Sequence, residues 1–312
     1  MDALARADDA DGSTLVRAAW AIGNFDGVHL GHRRIVERLR ARASASSAEP
    51  WVLTFDPHPT AVLRPERPLV LLTSIDRRLE LLEGLGVAGV VVTPFDDAIA
   101  KLAPADFAAG LLRERMGACA VVVGSDFRFG AGRAGDVVAL ASFGAAAGFV
   151  VEVVEPVEAE GSVVSSTRVR AKLGEGDVRA VARLLARSHD VDGIVVEGQR
   201  RGRTLGFPTA NLETVEAALP CDGVYACRAR LDDGRVVPAV ANLGVRPTVA
   251  AGRSLEAHLL DFDGDLYGSR VRLAFVDRIR DEKKFAGLDE LRAQIAADVA
   301  RGRVLLAEDG PR

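Results

Sequence analysis

Short apolar runs alternate with amphipathic stretches along the first half of this 312-residue chain. The runs are almost entirely apolar, as strands covered on both faces are, and they fall at residues 15–22, 51–55, 87–93, 118–124 and 149–154. The stretches between them have apolar residues at helical spacing, at residues 33–43, 74–82, 104–116 and 136–147. This alternation predicts an α/β domain built on a parallel sheet with right-handed crossovers. Residues 57–68 contain four prolines and are predicted to form a loop.

The pattern changes after a predicted helix at residues 177–186, where short β-type segments replace the helices. Five segments separated by turn residues are predicted as strands, at residues 189–197, 223–231, 235–241, 254–262 and 270–277. Evenly spaced short strands are typical of a small antiparallel β-barrel. An amphipathic pattern at residues 289–299 predicts a closing helix. We therefore predict two domains, residues 1–186 and residues 187–312.

Composition narrows the class of protein without indicating its chemistry. The chain is 48% hydrophobic and 27% charged, which is ordinary for a globular protein, and its formal net charge is −4. No overall basic field attracts nucleic acid or an anionic membrane, and no apolar run reaches the roughly 18 residues of a membrane span. The three cysteines have no metal-ligand spacing, and their odd number argues against a disulfide framework. We expect a cytoplasmic protein that binds neither nucleic acid nor membrane, with its oligomeric state, including a homo-oligomer, left open.

The most informative polar residues follow the first predicted strand, in the sequence GNFDGVHLGH at positions 23–32. A strand that turns into a helix through glycines presents backbone N–H groups to an anion. His29 and His32 are three residues apart, so both can donate to one phosphate from the same face of the first helical turn. The alternative is an ordinary strand–helix connection with two histidines near the surface, although the chain holds only five histidines. The other candidate phosphate-binding residues of this turn are Gly23, Asn24, Phe25, Asp26 and Gly31.

A second candidate anion site begins the helix predicted after the fifth strand. Hydroxyls and free N–H groups at a helix start, with an arginine one turn later, can bind a phosphate. The alternative is an ordinary helix cap with surface arginines, which is the better interpretation of this stretch alone. The turn at 23–32, predicted on the same side of the sheet, favours the anion site. The candidate residues are Ser165, Ser166, Thr167 and Arg170.

Alternating glycines at positions 130–135 match the fingerprint of a dinucleotide-binding turn. However, five residues separate them from the end of the preceding strand, so they do not form the tight strand–helix turn that a dinucleotide needs. We predict a mobile flap here instead of a nicotinamide site.

Two groups of polar residues stand out in the predicted barrel. The stretch GRTLGFPTAN at 202–211 is predicted as a loop, in which the Thr209 hydroxyl and the Asn211 amide oxygen suit a hard cation such as Mg²⁺. A rigid turn in which both residues bond only their own backbone is at least as good an interpretation. Glu256 lies two residues before His258 in a strand, so both point to one face, where a carboxylate can accept a proton from a hydroxyl. The alternative is a solvated outer face of the barrel.

Several of these stretches resemble known family signatures. Positions 23–32 are similar to the GxFDxxHxGH signature of the nucleotidyltransferase superfamily, and positions 164–170 to its partner ISSTxxR, with Val164 in place of isoleucine. TFDPHP (54–59) and VGSDFRFG (123–130) resemble the adenylyltransferase module of bifunctional bacterial riboflavin kinase/FAD synthetases. Later stretches resemble successive signatures of the riboflavin kinase module: GRTLGFPTANL (202–212), NLGVRPT (242–248), LEAHLLDFDGDLYG (255–268) and RDEKKF (280–285).

The resemblance implies a Rossmann-like nucleotidyltransferase domain, a kinase barrel and two successive reactions. The barrel would phosphorylate the ribityl 5′-hydroxyl of riboflavin with MgATP, giving FMN. The first domain would transfer AMP from a second ATP to FMN, giving FAD and pyrophosphate. In the barrel, the resemblance implies Mg²⁺ and ATP phosphates at Thr209 and Asn211, ATP contacts at Gly206 and Pro208, and Glu256 as general base.

In the first domain, the resemblance implies that His29 and His32 stabilise charge on the α-phosphate. The stretch 165–170 would bind the departing pyrophosphate, with arginine favoured for its fork of donors. Asn24 and Asp26 are assigned only to site architecture or a metal contact. On the flavin side the candidates are Asp126, Phe127 by ring stacking, and His58, for which a plain turn histidine is the alternative.

Three other functions remain as alternatives. One alternative is a nucleotidyltransferase that acts on another acceptor, such as a phosphocholine-like or pantetheine substrate. The kinase signatures argue against this function. A nucleic-acid-binding protein would need basic grooves with interleaved aromatics, whereas this chain is acidic and only 5% aromatic. A flavin-binding sensor without catalysis would not require His29, His32, Thr209, Asn211 and Glu256 all to be intact.

Overall fold

The protein is described from a computed structural model, which covers residues 17–67, 69–198, 202, 205–214, 217–245 and 253–310. Contacts divide the chain into two compact units, Met1–Ser165 and Ser166–Arg312. We refer to them as the first unit and the second unit and describe each by itself.

The first unit is built on a five-stranded parallel sheet with the strand order β3-β2-β1-β4-β5. This confirms the predicted α/β class. The change of strand order around β1 creates a crevice at the carboxyl ends of β1 and β4, where ligands bind in such sheets. The strands are β1 (Ala18–Ile22), β2 (Glu49–Phe55), β3 (Gly89–Thr93), β4 (Ala118–Gly124) and β5 (Val150–Val154).

Helices cover both faces of this sheet, which explains why most residues of its strands are apolar. Trp20 on β1 faces a cluster that includes Phe107 and Leu112, while Ala21 faces the opposite cluster around Val36 and Leu39. The edge strand β5 exposes Val150 and Val153. The helices are α1 (Leu30–Ala45), α2 (Pro59–Leu63), α3 (Ile75–Glu83), α4 (Asp97–Ala100), α5 (Pro104–Asp106) and α6 (Val137–Ala147).

Three features of the first unit differ from the sequence prediction. The predicted loop at 57–68 contains α2, because Pro59 stands at the first helical position, where no backbone N–H is needed. The predicted helix at 104–116 continues after α5 as a π-helix, Phe107–Arg115, whose buried residues have a spacing compatible with either helix type. A small hairpin, β6 (Glu158–Ala159) with β7 (Ser162–Val163), has no clear signal in its polar sequence.

The second unit is a closed six-stranded antiparallel barrel preceded by two helices and followed by one, which confirms the predicted barrel and closing helix. Neighbouring strands around the barrel follow the order β10-β11-β12-β9-β8-β13. The strands are β8 (His189–Val196), β9 (Ala210–Thr214), β10 (Gly223–Leu231), β11 (Val236–Val245), β12 (Arg253–Leu259) and β13 (Arg270–Arg280). The helices are α7 (Ser166–Glu175), α8 (Val178–Leu185) and α9 (Leu288–Glu308).

Strand β9 corrects the prediction that 202–211 is entirely loop, since Ala210 and Asn211 begin this strand. Its sequence ANLET contains few residues that favour strands, yet it pairs with both β8 and β12 and so completes the barrel. Helix α9 continues to Glu308, and its buried Leu305 and Leu306 cover the barrel beside Ala226. Among the residues that the structure describes, no helix is both long and apolar enough to cross a membrane.

Candidate active sites

Buried hydrogen bonds hold the turn at 23–32 in place at the end of β1. Asp26 is 2% exposed, and its carboxylate accepts hydrogen bonds from the backbone N–H groups of Leu72 (2.9 Å) and Thr73 (3.2 Å). The Thr54 hydroxyl donates to the carbonyl oxygen of Asn24 at 3.2 Å. These contacts give Asp26 and Asn24 an architectural role, as anchors of the turn.

The backbone of this turn is strained. Phe25 (φ 49°), Gly27 (φ 84°) and Val28 (φ 43°) all lie in the left-handed region. A β-branched residue such as Val28 is rare there, because its side chain crowds the backbone. Such strain persists only where surrounding contacts hold it, and it concentrates at functional sites.

The two histidines form a stacked pair at the start of α1. Their ring centroids are 3.6 Å apart with an interplanar angle of 16°, and the edge of Phe25 packs against His32 at 5.2 Å. His29 is the N-cap of α1, and its Nδ1 accepts a hydrogen bond from the backbone N–H of His32 at 3.4 Å. The hydrogen of neutral His29 is therefore on Nε2, which is left to donate to a ligand.

Burial keeps both imidazoles uncharged near neutral pH. Desolvation lowers the pKa of His29 to about 4, against the opposing effects of the carboxylates of Asp26 and Asp126. The pKa of His32 is held well below its usual value by burial and then by the neighbouring His29 and Arg78. The pair therefore offers neutral N–H donors to a phosphate.

Gly31 allows this arrangement because it has no side chain. A Cβ at this position would lie 3.1 Å from Cε1 of His29 and 3.8 Å from the carbonyl oxygen of Val164. The chain just before Ser165 thus passes beside the start of α1. Ser165 ends the first unit, whereas Ser166, Thr167 and Arg170 lie in the first turns of α7 in the second unit.

Arg78 is a residue of this region that the sequence analysis missed. It lies on α3 with 0% exposure, and its Nη1 donates to the carbonyl oxygen of Phe55 at 3.3 Å. Its Nε and Nη2 are buried without a hydrogen-bond partner among the described residues. A signal was present, because position 78 lies on the same helix face as the apolar Ile75 and Leu82.

The flavin-side candidates occupy three different settings. His58 is the N-cap of α2, and its Nδ1 accepts from the backbone N–H of Thr60 at 3.1 Å, so it has a structural role at least. Asp126 is exposed just beyond β4, close enough to influence the charge of His29. Phe127 is half-buried and stacks on Phe129, with centroids 5.8 Å apart.

The glycines at 130–135 do not form a dinucleotide turn. A bridge between Phe129 and Gly135 closes the loop, and a Cβ at Gly135 would lie 2.6 Å from the Phe129 ring. A single 3₁₀ turn, Ala131–Arg133, occupies the loop. The predicted flap is therefore a closed loop; that it moves stays a prediction.

In the second unit, Glu256 lies between two amides on the outer face of the barrel. It pairs with Asn211 of β9 on one side and with Asn242 of β11 on the other. The neighbouring Leu255 and Ala257 point inward and are buried, whereas Glu256 is half-buried. The outer-face placement in the alternative interpretation is thus correct, but amide side chains flank the carboxylate.

Two glycines leave room for the side chains of Thr209 and Asn211. A Cβ at Gly198 would overlap the Asn211 amide, with Cγ at only 2.5 Å, and a Cβ at Gly202 would lie 3.0 Å from the Thr209 hydroxyl oxygen. Both positions can therefore hold only glycine without displacing the candidate ligands.

His258 supports the loop that precedes β9. Its Nδ1 donates to the carbonyl oxygen of Pro208 at 2.7 Å, and its ring packs edge-on against Phe207 at 5.6 Å. The exposed Gly206 turns the chain with φ 86°, which suits glycine. The sequence analysis noted that His258 shares a face with Glu256 but missed this contact. Residues 203, 204 and 246–248, which belong to two of the kinase signatures, lie outside the described residues.

The oxygen donors at this face fit Mg²⁺ held together with a nucleotide. A hydroxyl, an amide oxygen and a nearby carboxylate are hard ligands. In the described part of the chain, no cluster of three or more His, Cys, Asp or Glu side chains could hold a metal alone. Since Mg²⁺ usually keeps water and phosphate ligands, a sparse set of protein oxygens is sufficient.

Comparison with known proteins also divides the chain into two parts. The family model for FAD synthetase matches residues 13–168, and that for riboflavin kinase matches residues 185–306. The bifunctional riboflavin kinase/FMN adenylyltransferase of Pseudomonas fluorescens is 41% identical over 93% of this chain and 94% of its own. Its counterpart in Bacillus subtilis is 34% identical over 90% of each chain. A crystal structure from Streptococcus pneumoniae, described as a macrolide-efflux protein, has a TM-score of 0.86 at 31% identity, covering 93% of this chain and 95% of its own.

Proposed function

This chain belongs to the family of bifunctional riboflavin kinase/FMN adenylyltransferases, and we propose which of its residues carry each reaction. The enzyme phosphorylates riboflavin to FMN and adenylylates FMN to FAD. One observation carries the residue assignment: the stacked histidines lie in the stretch matched as FAD synthetase, and Glu256 with its flanking amides lies in the stretch matched as riboflavin kinase. Both family models name flavin enzymes, whereas the efflux description is that of the structural relative.

For adenylyl transfer, we propose that an oxygen of the FMN phosphate attacks the α-phosphorus of ATP, and the bond to pyrophosphate breaks. His29 and His32 donate neutral N–H groups to the α-phosphate oxygens, where charge develops in the transition state. Gly23 and Gly31 are proposed to border the phosphates; their missing side chains leave room for the rings of Phe25 and His29. Asn24 and Asp26 hold the turn through their hydrogen bonds. Positioning and charge stabilisation supply the catalysis.

The remaining adenylyl-transfer residues are assigned by chemistry. Ser165, Ser166, Thr167 and Arg170 are proposed to bind the β- and γ-phosphates that leave as pyrophosphate, through hydroxyls and the guanidinium fork. Asp126 and Phe127 are proposed on the flavin side, with the half-buried Phe127 ring able to stack on isoalloxazine. His58 is proposed to border the same pocket in addition to capping α2.

For the kinase reaction, we propose that Glu256 accepts the proton of the ribityl 5′-hydroxyl as its oxygen attacks the γ-phosphorus of ATP. Thr209 and Asn211 would hold Mg²⁺, which neutralises phosphate charge when bound. Gly206 and Pro208 shape the loop beside the ATP phosphates, and His258 holds that loop through the Pro208 carbonyl. Asn211 and Asn242 orient the face on which Glu256 lies.

The first prediction separates the two sites by product analysis. Full-length protein is incubated with riboflavin, ATP and Mg²⁺, and the flavins are separated by chromatography. The double change His29→Ala with His32→Ala is expected to stop the reaction at FMN. Glu256→Gln is expected to lower FMN formation by about 10²- to 10⁴-fold, the usual effect of losing a general base, while supplied FMN is still converted to FAD.

A matched control for Glu256→Gln is Glu213→Gln, which removes an exposed carboxylate from the adjacent strand β9. This control is expected to retain both activities. Loss of both reactions in either site variant, with the fold intact by circular dichroism, would contradict independent sites. Transfer of AMP to an acceptor other than FMN would contradict the proposed acceptor.

We propose that the enzyme acts in the cytoplasm on small molecules only. Cys119, Cys221 and Cys227 are all free cysteines, as expected in a reducing compartment. The expectation that it binds no nucleic acid and no membrane stays a prediction from composition.

A further inference from the structure

Arg78 is a fully buried cation beside the histidine turn, and its burial is not explained by stability. Two of its three guanidinium nitrogen positions, Nε and Nη2, lack a hydrogen-bond partner among the described residues. An unpaired buried donor destabilises the fold, and apolar residues can often replace buried ion pairs without loss of stability. A residue retained at such a cost at the edge of an active site calls for a functional explanation.

The neighbours of Arg78 connect it to the turn from two directions. Its Nη1 donates to the carbonyl oxygen of Phe55, the last residue of β2. Its charge is opposed by the carboxylates of Asp26, the buried anchor of the turn, and Asp56, which follows β2. The Arg78 guanidinium is thus bound to the end of β2, and its positive charge compensates the negative charges of Asp26 and Asp56.

Arg78 also acts on the histidine pair through its charge. Burial is the main cause that lowers the pKa of His32, and His29 and then Arg78 lower it further; burial also lowers the pKa of His29, whereas Asp26 and Asp126 raise it. A fixed positive charge near His32 disfavours a second positive charge on that ring. Neutrality matters because the Nδ1 of His29 must remain unprotonated to accept from the His32 N–H.

We propose that Arg78 is a positioning residue for adenylyl transfer: it holds the end of β2, where Thr54 anchors the histidine turn, and its buried charge adds to the effect of burial in disfavouring protonation of His32. The same charge adds a positive potential behind the phosphate site, in an environment of low dielectric where it is weakly screened. Arg78 acts through the turn, since its guanidinium has no exposed surface with which to touch a substrate. This inference rests on the proposed role of the histidine turn.

The experiment compares Arg78→Met, Arg78→Lys and the control Arg77→Met in full-length protein. Arg77 is the adjacent residue of α3, and its Nη1 pairs with Glu80 at 2.8 Å on the helix surface. For FMN adenylylation, Arg78→Met is expected to lower kcat by about 10²-fold, with KM for ATP changed by less than about threefold. Arg78→Lys should recover about tenfold of that loss, because it restores the charge without the fork. Fluorescence of Trp20 and Trp51, which both lie in the first unit with Arg78, measures how much of each variant is folded there.

A pH profile distinguishes this role from a merely structural one. Without the Arg78 charge, protonation of His32 becomes easier, so the acid side of the kcat/KM profile for FMN adenylylation should move to higher pH in Arg78→Met. The C–H signals of His29 and His32, followed by NMR in the wild type, should show the His29 pKa near 4 and the His32 pKa well below its usual value, because both rings are buried. In Arg78→Met and Arg78→Lys, the His32 titration should be shifted relative to the wild type, more strongly in Arg78→Met.

Each outcome decides the proposal. A loss of thermal stability alone, with kcat per folded molecule and the pH profile within about twofold of the wild type, would overturn it. So would an effect confined to KM for ATP. If Arg78→Met does not fold, titration of wild-type His29 and His32 near the ordinary imidazole pKa would overturn it instead. Full adenylylation by the His29→Ala, His32→Ala protein would refute the proposed function of the turn itself, which is a separate failure.

Discussion

His29 combines two tasks in one ring. Helix N-caps are usually Ser, Thr, Asp or Asn, whereas here an imidazole Nδ1 accepts the N–H of His32 at the start of α1. The cap exists only while that nitrogen is unprotonated. The charge of His29 is therefore linked to the start of α1 as well as to phosphate binding, and burial maintains the state that both need.

This linkage predicts a pH dependence of stability in the first unit. The pKa of His29 is about 4 in the folded protein, compared with 6.5 for an ordinary histidine. Between pH 4 and 6.5 the imidazole is therefore protonated in the unfolded chain and neutral in the folded protein. The free energy of unfolding should therefore decrease as pH falls from 6.5 to 4, by a total of about 3 kcal/mol from this group. Urea unfolding followed by tryptophan fluorescence measures this, since both tryptophans, Trp20 and Trp51, lie in the first unit.

The matched control for this titration is His29→Gln, whose amide does not ionise. The carboxylates titrate alike in both proteins, so the difference in slope between pH 6.5 and 4 isolates His29. Equal slopes in wild type and variant would show that the imidazole has an ordinary pKa and is not buried as described.

The residue scale also shows what a sequence can predict about this site. The histidine pair is predictable because its spacing and its position after an apolar strand both follow from local sequence. The burial of Arg78 has only a weak signal, its place on the apolar face of α3, because an arginine on an amphipathic helix is usually solvated. The stacking of His29 on His32 depends on Gly31 and Phe25, whose packing has no sequence signal.

At the scale of elements, the kinase site depends on the five-residue strand β9. Asn211 enters this strand opposite Glu256, and its amide packs against Gly198, just beyond the end of β8. The strand is predicted poorly because ANLET has little strand propensity, and pairing with β8 and β12 decides its conformation. Long apolar strands such as β4 are predicted to the residue, because burial on both faces leaves few alternatives.

We predict that Gly198→Ala impairs riboflavin phosphorylation selectively. The added Cβ would overlap the Asn211 side chain, whose Oδ1 lies 2.8 Å from that position, so the amide must move. Displacement of about 1 Å at a positioning group can cost about 10²-fold in rate. The measurement is kcat and KM for ATP in FMN formation, with conversion of supplied FMN to FAD unchanged.

Gly174→Ala is the control for this substitution. A Cβ at position 174 meets no atom within 4 Å, and alanine favours the helix α7 in which it lies. Both activities should stay at the wild-type level in this variant. Unchanged riboflavin phosphorylation in Gly198→Ala would show that the position of Asn211 does not limit the reaction.

At the scale of the whole molecule, contacts and family models divide the chain at different residues. Helices α7 and α8 belong by contacts to the second unit, whereas the riboflavin kinase model begins at residue 185. Buried Val181 and Leu184 on α8 and an ion pair between Arg179 and Asp277 at 2.8 Å connect α8 to the rest of that unit. The predicted domain boundary between residues 186 and 187 stays a prediction.

Two fragments test where the kinase folding unit begins. Residues 166–312 should form FMN with the kcat of the full chain, because they retain the whole second unit. Residues 187–312 should also form FMN at low temperature but unfold at a Tm lower by roughly 10 °C or more, since the surface covered by α8 becomes exposed. Circular dichroism melts and product chromatography measure both. Equal Tm values would show that α8 adds nothing to the stability of the barrel.

Closure of the barrel has a consequence for aggregation. All six of its strands pair on both sides, so the described residues of the second unit offer no row of unpaired N–H and C=O groups on which another chain could extend a sheet. The sheet of the first unit is open, and its edge strand β5 exposes Val150 and Val153. Intermolecular strand pairing in a stressed cell is therefore a hazard of the FAD-forming half, and the FMN-forming half is protected from it by its own topology.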